Sequence, residues 1–375
     1  MATVILPLWI VSLGASPLIA GIALGCRYVL LTFLSIHSGA LMDRIGTRKV
    51  MLIFGIAAII FNGSYPFFPE LTAVVLIQLF AGWAGAMGCL GSQTLIGHLM
   101  KGNSVYAGRL SASLRVAAFV GPPLVGAIWD FFGAWSAFGF LAAWGALPVI
   151  SAMFLPKDFQ KQAVTLGSFS DLLPRWLDYS DAFRLLAVPA IVLLLAITIV
   201  RYAGISIQHT FYVVWLNEIG LTGIKIGFLL SIWAVAGGCS ALFVGKLLNY
   251  CKDIWLAIAM VSLQILLLTI TPLIPNYVSC LLVMAVYGAT MGISQPLLIG
   301  MMARATPQEH QGKSAGLRAT ANQSSGFVLP ITMGAIAEWI GLKNAFFVIG
   351  LGVLTIMLVI VFTLGRKKKY FISHK

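Results

Sequence analysis

Eleven apolar runs, each long enough to cross a lipid bilayer as a helix, follow one another along the 375 residues of this chain. They fall near 16–40, 48–68, 71–98, 106–129, 134–155, 185–215, 225–248, 254–274, 277–302, 314–337 and 343–364. A bilayer core of about 30 Å takes roughly 20 residues at about 1.5 Å each, so each run predicts one transmembrane helix. A shorter run, Ala2 to Val11, precedes them and reaches about half way across. With neither a basic leader nor a small-residue cleavage site, it reads as part of a truncated first helix rather than a signal peptide.

Composition excludes a water-soluble fold. Hydrophobic residues make up 60% of the chain, charged residues 9%, and the mean hydropathy is +0.97, whereas soluble domains carry about 25% charged residues. In lipid every backbone amide must be satisfied within the protein, which long apolar helices accomplish. The expectation is an all-α membrane protein with eleven full spans.

Charge placement sets an expected orientation. With the Asp43 loop inside, eighteen of the 24 basic residues lie on the inner side, including Lys101, Lys157 and the tail Arg366 to Lys369. Only Lys225 and Lys343 lie outside, a strong positive-inside bias. It predicts a multi-pass protein of the cytoplasmic membrane with its C-terminus in the cytoplasm. The net charge of +13 then reports topology and contact with membrane lipid, not nucleic acid.

The chain also repeats itself. Leu95-Ile96-Gly97 through Leu114-Arg115 matches Leu298-Ile299-Gly300 through Leu317-Arg318, and Pro122, Gly126, Asp130 and Gly133 answer Pro330, Gly334, Glu338 and Gly341 at an offset of 208. Gly39 and Asp43 correspond to Gly245 and Asn249. Two parallel six-helix halves are the reading: an N-terminal bundle over 1–155, a polar linker over 156–184, a C-terminal bundle over 185–365 and a basic tail over 366–375. Two such bundles can rock about a site near mid-membrane, exposing it to each side in turn.

Between the second and third spans lies Gly39-Ala40-Leu41-Met42-Asp43-Arg44-Ile45-Gly46-Thr47-Arg48-Lys49. This stretch resembles the signature loop of the major facilitator superfamily, the large family of secondary solute transporters. The resemblance implies the major facilitator fold of two pseudo-symmetric six-helix bundles. It also implies a gating role for Gly39, Asp43, Arg44, Gly46, Arg48 and Lys49, with Asp43 facing the start of helix eleven at Lys313-Ser314-Ala315. Gly121, Pro122 and Gly126 resemble the helix-five signature of the family's antiporters, although Ala117 and Val125 replace glycines usual there; helix packing explains them equally well. Where many drug–proton antiporters of the family carry an arginine in helix four, this chain has Gln78.

Intramembrane polar residues mark the expected solute path. All eleven acids fall in loops or at helix ends, whereas Arg27, Arg115, Arg201 and Arg318 lie inside spans with no carboxylate beside them in sequence. A buried charge must face a watery cavity, backbone carbonyls or an anion. Arg115 and Arg318 are equivalent by the repeat, which favours a structural role. Arg27 and Arg201 are not, position 233 opposite Arg27 being Trp. Arg27, Arg201, His209 and Gln78 are therefore the candidate cavity residues, suited to an anionic or amphiphilic solute. His209 could carry a coupling proton near neutral pH, and the coupling ion stays open. The glycines at 82, 85, 88 and 91 read as a packing stripe.

No other chemistry is indicated. Pro307 to Ser314 misses the phosphate-loop pattern at its first glycine, and the five cysteines form no CxxC pair. No catalytic residue, metal or cofactor is expected, and the protein is expected to work as a monomer. The leading expectation is an exporter-like antiporter for a small organic solute. An organic-anion uptake carrier and a transport-incompetent or sensor-type protein are the alternatives.

Overall fold

A computed structural model describes residues 1–99, 104–155, 183–306 and 311–366. Most of the expected linker and the basic tail thus lie outside the described residues. Helix is the only regular structure among those described. The helices of eight residues or more are α1 (Ala2–Ser12), α2 (Pro17–Cys26), α3 (Val29–Ile45), α4 (Thr47–Ser64), α5 (Leu71–Leu99) and α6 (Ser104–Met153). They continue with α7 (Pro189–His209), α8 (Phe211–Glu218), α9 (Gly223–Ala241), α10 (Asp253–Ile270), α11 (Tyr277–Ala305), α12 (Gln311–Ile340) and α13 (Leu342–Arg366).

Nine helical stretches among the described residues are long and apolar enough to span a membrane. One of them, Ser113–Met153, is two spans folded at Gly133, whose φ of 76° breaks α6. The thirty-residue α12 is long enough to cross but too polar to count with the nine. Adding it and dividing α6 recovers the eleven long runs of the sequence. Two of those runs are not single helices. The second span is interrupted between α2 and α3 at Arg27-Tyr28, and the seventh between α7 and α8 at Thr210.

The repeat is visible in the backbone. Tight turns with positive-φ glycines occur at Gly14 and Gly220 and, 208 residues apart, at Gly133 and Gly341. All four lie at one end of the bundle, here the turn end; the Asp43 segment lies at the other, the loop end. The helix crossings repeat too. On α2, a β-carbon at Gly21 would strike the Pro330 carbonyl, and at Gly334 it would strike that of Pro17. Their equivalents Gly227 and Gly126 meet the carbonyls of Pro122 and Gly223 in the same way. Small residues therefore bring α2 against α12 and α6 against α9 at backbone distance.

Core distribution shows how the halves meet. At the turn end a single apolar cluster runs through both halves, joining Val4, Ile5 and Ile10 of α1 to Phe138, Phe211, Tyr212 and Phe346. Toward the loop end the buried apolar side chains separate. Leu41, Met42, Val50 and Met87 form one cluster in the first half, and Ile191, Val261, Leu297 and Met357 belong to another in the second. One apolar cluster thus joins the halves at the turn end, whereas toward the loop end the described apolar clusters are separate while α3 still meets α12 across the halves, the Ser35 and Thr320 hydroxyls lying 3.0 Å apart.

Candidate solute site

The interruptions of the second and seventh spans bring polar side chains of the two halves together. Arg27 sits in the gap between α2 and α3 with its carbonyl against Gly82 of α5, where a β-carbon would clash. Its guanidinium runs past Gly85, with Nη2 4.0 Å from the position a β-carbon would take. Half of the glycine stripe on α5 is therefore the seat of Arg27. Gly91 instead admits Met51, and Gly88 has open space beside it. The sequence pattern suggested packing but could not name the partner.

Around this arginine the two halves share one small cavity. Its wall combines Thr3 and Leu6 of α1, Arg27 and Tyr28, Gln78 of α5, and His209 and Thr210 at the break of the seventh span. Three of the four sequence candidates therefore converge. The space measures about 20 Å³, room for about one water, so the site is nearly closed in this conformation. Gln78 is fully buried, and neither of its amide atoms has a hydrogen-bond partner among the described residues. The same holds for Gln208, beside His209. Buried amides without partners cost stability, and of the two Gln78 lines the cavity while Gln208 does not.

Arg201 does not line this cavity. It lies eight residues earlier on α7, about 12 Å along the helix axis, with its side chain 3% exposed. Its Nε and Nη1 find no acceptor among the described residues. Its carbonyl accepts a hydrogen bond from Gln264 Nε2 at 3.3 Å, and that nitrogen also lies 3.1 Å from the Tyr287 hydroxyl. Asn322 and Gln323 on α12 each leave a buried side-chain oxygen unpartnered among the described residues.

A second cavity, about 150 Å³, lies between α6, α9 and α11. Arg115, Trp233 and Gln295 are its polar-capable walls. Trp233 separates the two spaces: its indole meets the His209 ring edge-on, centroids 5.2 Å apart at 89°. The sequence marked position 233 as the counterpart of Arg27 without assigning it to the path.

The signature segment is described in part. Backbone helix runs through α3 to Ile45, Gly46 turns with φ 102°, and α4 begins at Thr47. Arg48 donates from Nε to the Ala152 carbonyl at 3.2 Å and from Nη2 to that of Met153 at 3.0 Å, tying α4 to the end of α6. Lys49 is exposed. Gly39 and the side chains of Asp43, Arg44 and Lys313 fall outside what is described, as do the side chains of His98 and Arg366. Of the remaining sequence candidates, Gly121 packs against the Met1 side chain, and Pro122 and Gly126 lie in the α6–α9 crossing.

The family model described as Major Facilitator Superfamily matches residues 1–330 and again 194–373. The chain belongs to the major facilitator superfamily. No curated protein matches its sequence. Among solved structures, an aspartate-to-alanine variant of the nucleoside transporter NupG is similar with a TM-score of 0.77 at 15% identity, over 97% of this chain and 94% of that one. The unsubstituted NupG structure gives a TM-score of 0.72 at the same identity and coverage. At that identity the likeness is one of fold. In the superfamily's arrangement α1 takes the place of helix one, α2 with α3 of helix two, α7 with α8 of helix seven, and α12 of helix eleven. The superfamily scaffold is a transporter's.

Proposed function

We propose that this protein is a secondary transporter of a small polar organic solute carrying a flat ring, moved by alternating access between the halves 1–155 and 185–365. The observation that carries this reading is the convergence of Arg27, Gln78 and His209, from both halves, on one cavity in whose wall the Gln78 amide is buried and unpartnered among the described residues. An amide offers a donor and an acceptor together, suited to the edge of a nucleobase or similar heterocycle. The Trp233 indole and His209 ring supply faces on which a flat ring can rest. The fold likeness to NupG puts nucleosides first among solutes to be tried.

The test is uptake of labelled uridine, adenosine, an organic anion and a cationic dye into proteoliposomes, with and without a pH gradient. Nucleoside uptake that Gln78→Leu abolishes is expected. Transport of the dye alone, unaffected by that substitution, would overturn the reading.

Arg27 and Arg201 favour a second reading, an organic-anion carrier, because neither has an acidic partner among the described residues. The efflux-antiport reading draws on the Gly121-Pro122 stretch. Solute driven out against an imposed proton gradient is its signature in the same assay. His209, in the wall of the cavity, is the residue proposed to carry a coupled proton.

A further inference from the structure

Two helices at the turn end are capped from the opposite half. The helix α9 begins at Gly223 and α2 at Pro17, and in each case the preceding residue, Thr222 or Ser16, is a good capping type. Neither makes a side-chain capping hydrogen bond. Carboxylates from the other half do it instead. Asp130, near the end of the first limb of α6, accepts from the Gly223 amide through Oδ1 and from the Ile224 amide through Oδ2, both at 2.8 Å. Glu338, near the end of α12, accepts from the Leu18 amide through Oε2 at 3.0 Å.

These contacts are related by the repeat: Asp130 answers Glu338 at an offset of 208, and Leu18 answers Ile224 at 206. Each is charge-assisted, and each places a negative group on the positive end of a helix. All four partners lie at the end where one apolar cluster runs through both halves. Neither carboxylate is needed to cap its own helix, and both are exposed, so water can replace the partner amides when the halves part. The contacts can therefore be made and broken in every cycle.

We propose that Asp130 and Glu338 are twin positioning residues that hold the turn end shut, each by capping a helix of the opposite half. Their removal shifts the protein toward a conformation open at that end. The inference is independent of the solute.

The experiment places nitroxide labels at Phe132 and Trp339, exposed residues of opposite halves at the turn end, with Cys26, Cys89, Cys239, Cys251 and Cys280 replaced by serine. Pulsed dipolar spectroscopy on the reconstituted full chain then reads the ratio of long-distance to short-distance populations. Losing one cap is worth about fivefold in that ratio. Asp130→Ala and Glu338→Ala are each expected to raise it by about that factor. The two caps join different helix pairs, so the double variant is expected to show roughly the product. Asp130→Asn, which keeps an acceptor oxygen but loses the charge, is expected to fall between wild type and Asp130→Ala. Asp130→Glu is expected to restore most of the closed population, an order that simple misfolding would not produce. A double variant with the wild-type distance distribution would overturn the proposal, as would Asn and Ala variants that are indistinguishable.

Discussion

Arg27 and Trp233 occupy equivalent positions in the two halves, each with its backbone carbonyl seated on a glycine of the facing helix, Gly82 for the arginine and Gly288 for the tryptophan. Symmetry of backbone thus carries asymmetry of chemistry. The first half presents a guanidinium at this level and the second an indole, Arg27 lining the smaller cavity and Trp233 the larger.

That seating gives the first prediction. A methyl group at Gly82 or Gly288 would overlap the facing carbonyl, and backbone cannot move aside as a side chain can. Overpacking of this kind costs about 1–3 kcal/mol. Gly82→Ala and Gly288→Ala are expected to lower the melting temperature of the detergent-solubilised protein. Gly88→Ala, with nothing within 4 Å of the added methyl, is expected to be neutral or stabilising by up to about 1 kcal/mol, since alanine favours helix over glycine. Equal shifts at 82 and 88 would remove the distinction.

The amides make opposite predictions for stability and transport. Gln78 and Gln208 are fully buried with neither amide atom partnered among the described residues. Replacing an unsatisfied buried polar group with an apolar one of similar shape is neutral or stabilising. Gln78→Leu and Gln208→Leu should therefore keep or raise the melting temperature, and Gln78→Leu, in the cavity wall, should also weaken solute binding tenfold or more, about 1.4 kcal/mol. Scintillation proximity binding beside a thermal melt checks both. Lower stability with unchanged binding would place these residues in the scaffold alone.

How much of this was legible beforehand depends on the physical range of each signal. Span positions are local, because about twenty apolar residues announce a helix wherever it packs. The repeat was legible as well, down to the match of Asp130 with Glu338. What each carboxylate does was not, because capping across the halves depends on a tertiary contact between residues 93 and 320 positions apart. The break at Arg27-Tyr28 carries no proline or glycine at its centre, and only the glycines of α5 hint at the backbone that presses there. Charge alone groups Arg201 with Arg27; the geometry places Arg201 about two turns of helix from His209, the residue of its helix that lines the cavity.

Separation of the two arginines can be tested through the solute. Arg201 keeps Nε and Nη1 buried without an acceptor among the described residues, away from the cavity that Arg27 lines. Arg201→Gln is expected to weaken transport of an anionic solute far more than that of a neutral one. Arg27→Gln, in the cavity wall, should impair both. Parallel flux assays with a labelled organic anion and a labelled nucleoside measure this, and equal losses for Arg201→Gln would assign that residue to structure.

The cavity histidine gives the last prediction. His209 touches Trp233 edge-on and lines the mid-membrane space with Arg27 and Gln78. No carboxylate lies in that wall, so a proton crossing with the solute has the imidazole as its carrier among the described lining residues. Uptake driven by an inward proton gradient should fall at least tenfold in His209→Gln. Solute exchange without a gradient, which needs binding and rocking but no proton transfer, should stay within about threefold of wild type. Glutamine keeps hydrogen-bonding capacity but cannot titrate, so the two assays divide proton coupling from simple contact. Loss of both activities together would make His209 a binding residue, and loss of neither would move coupling elsewhere in the protein.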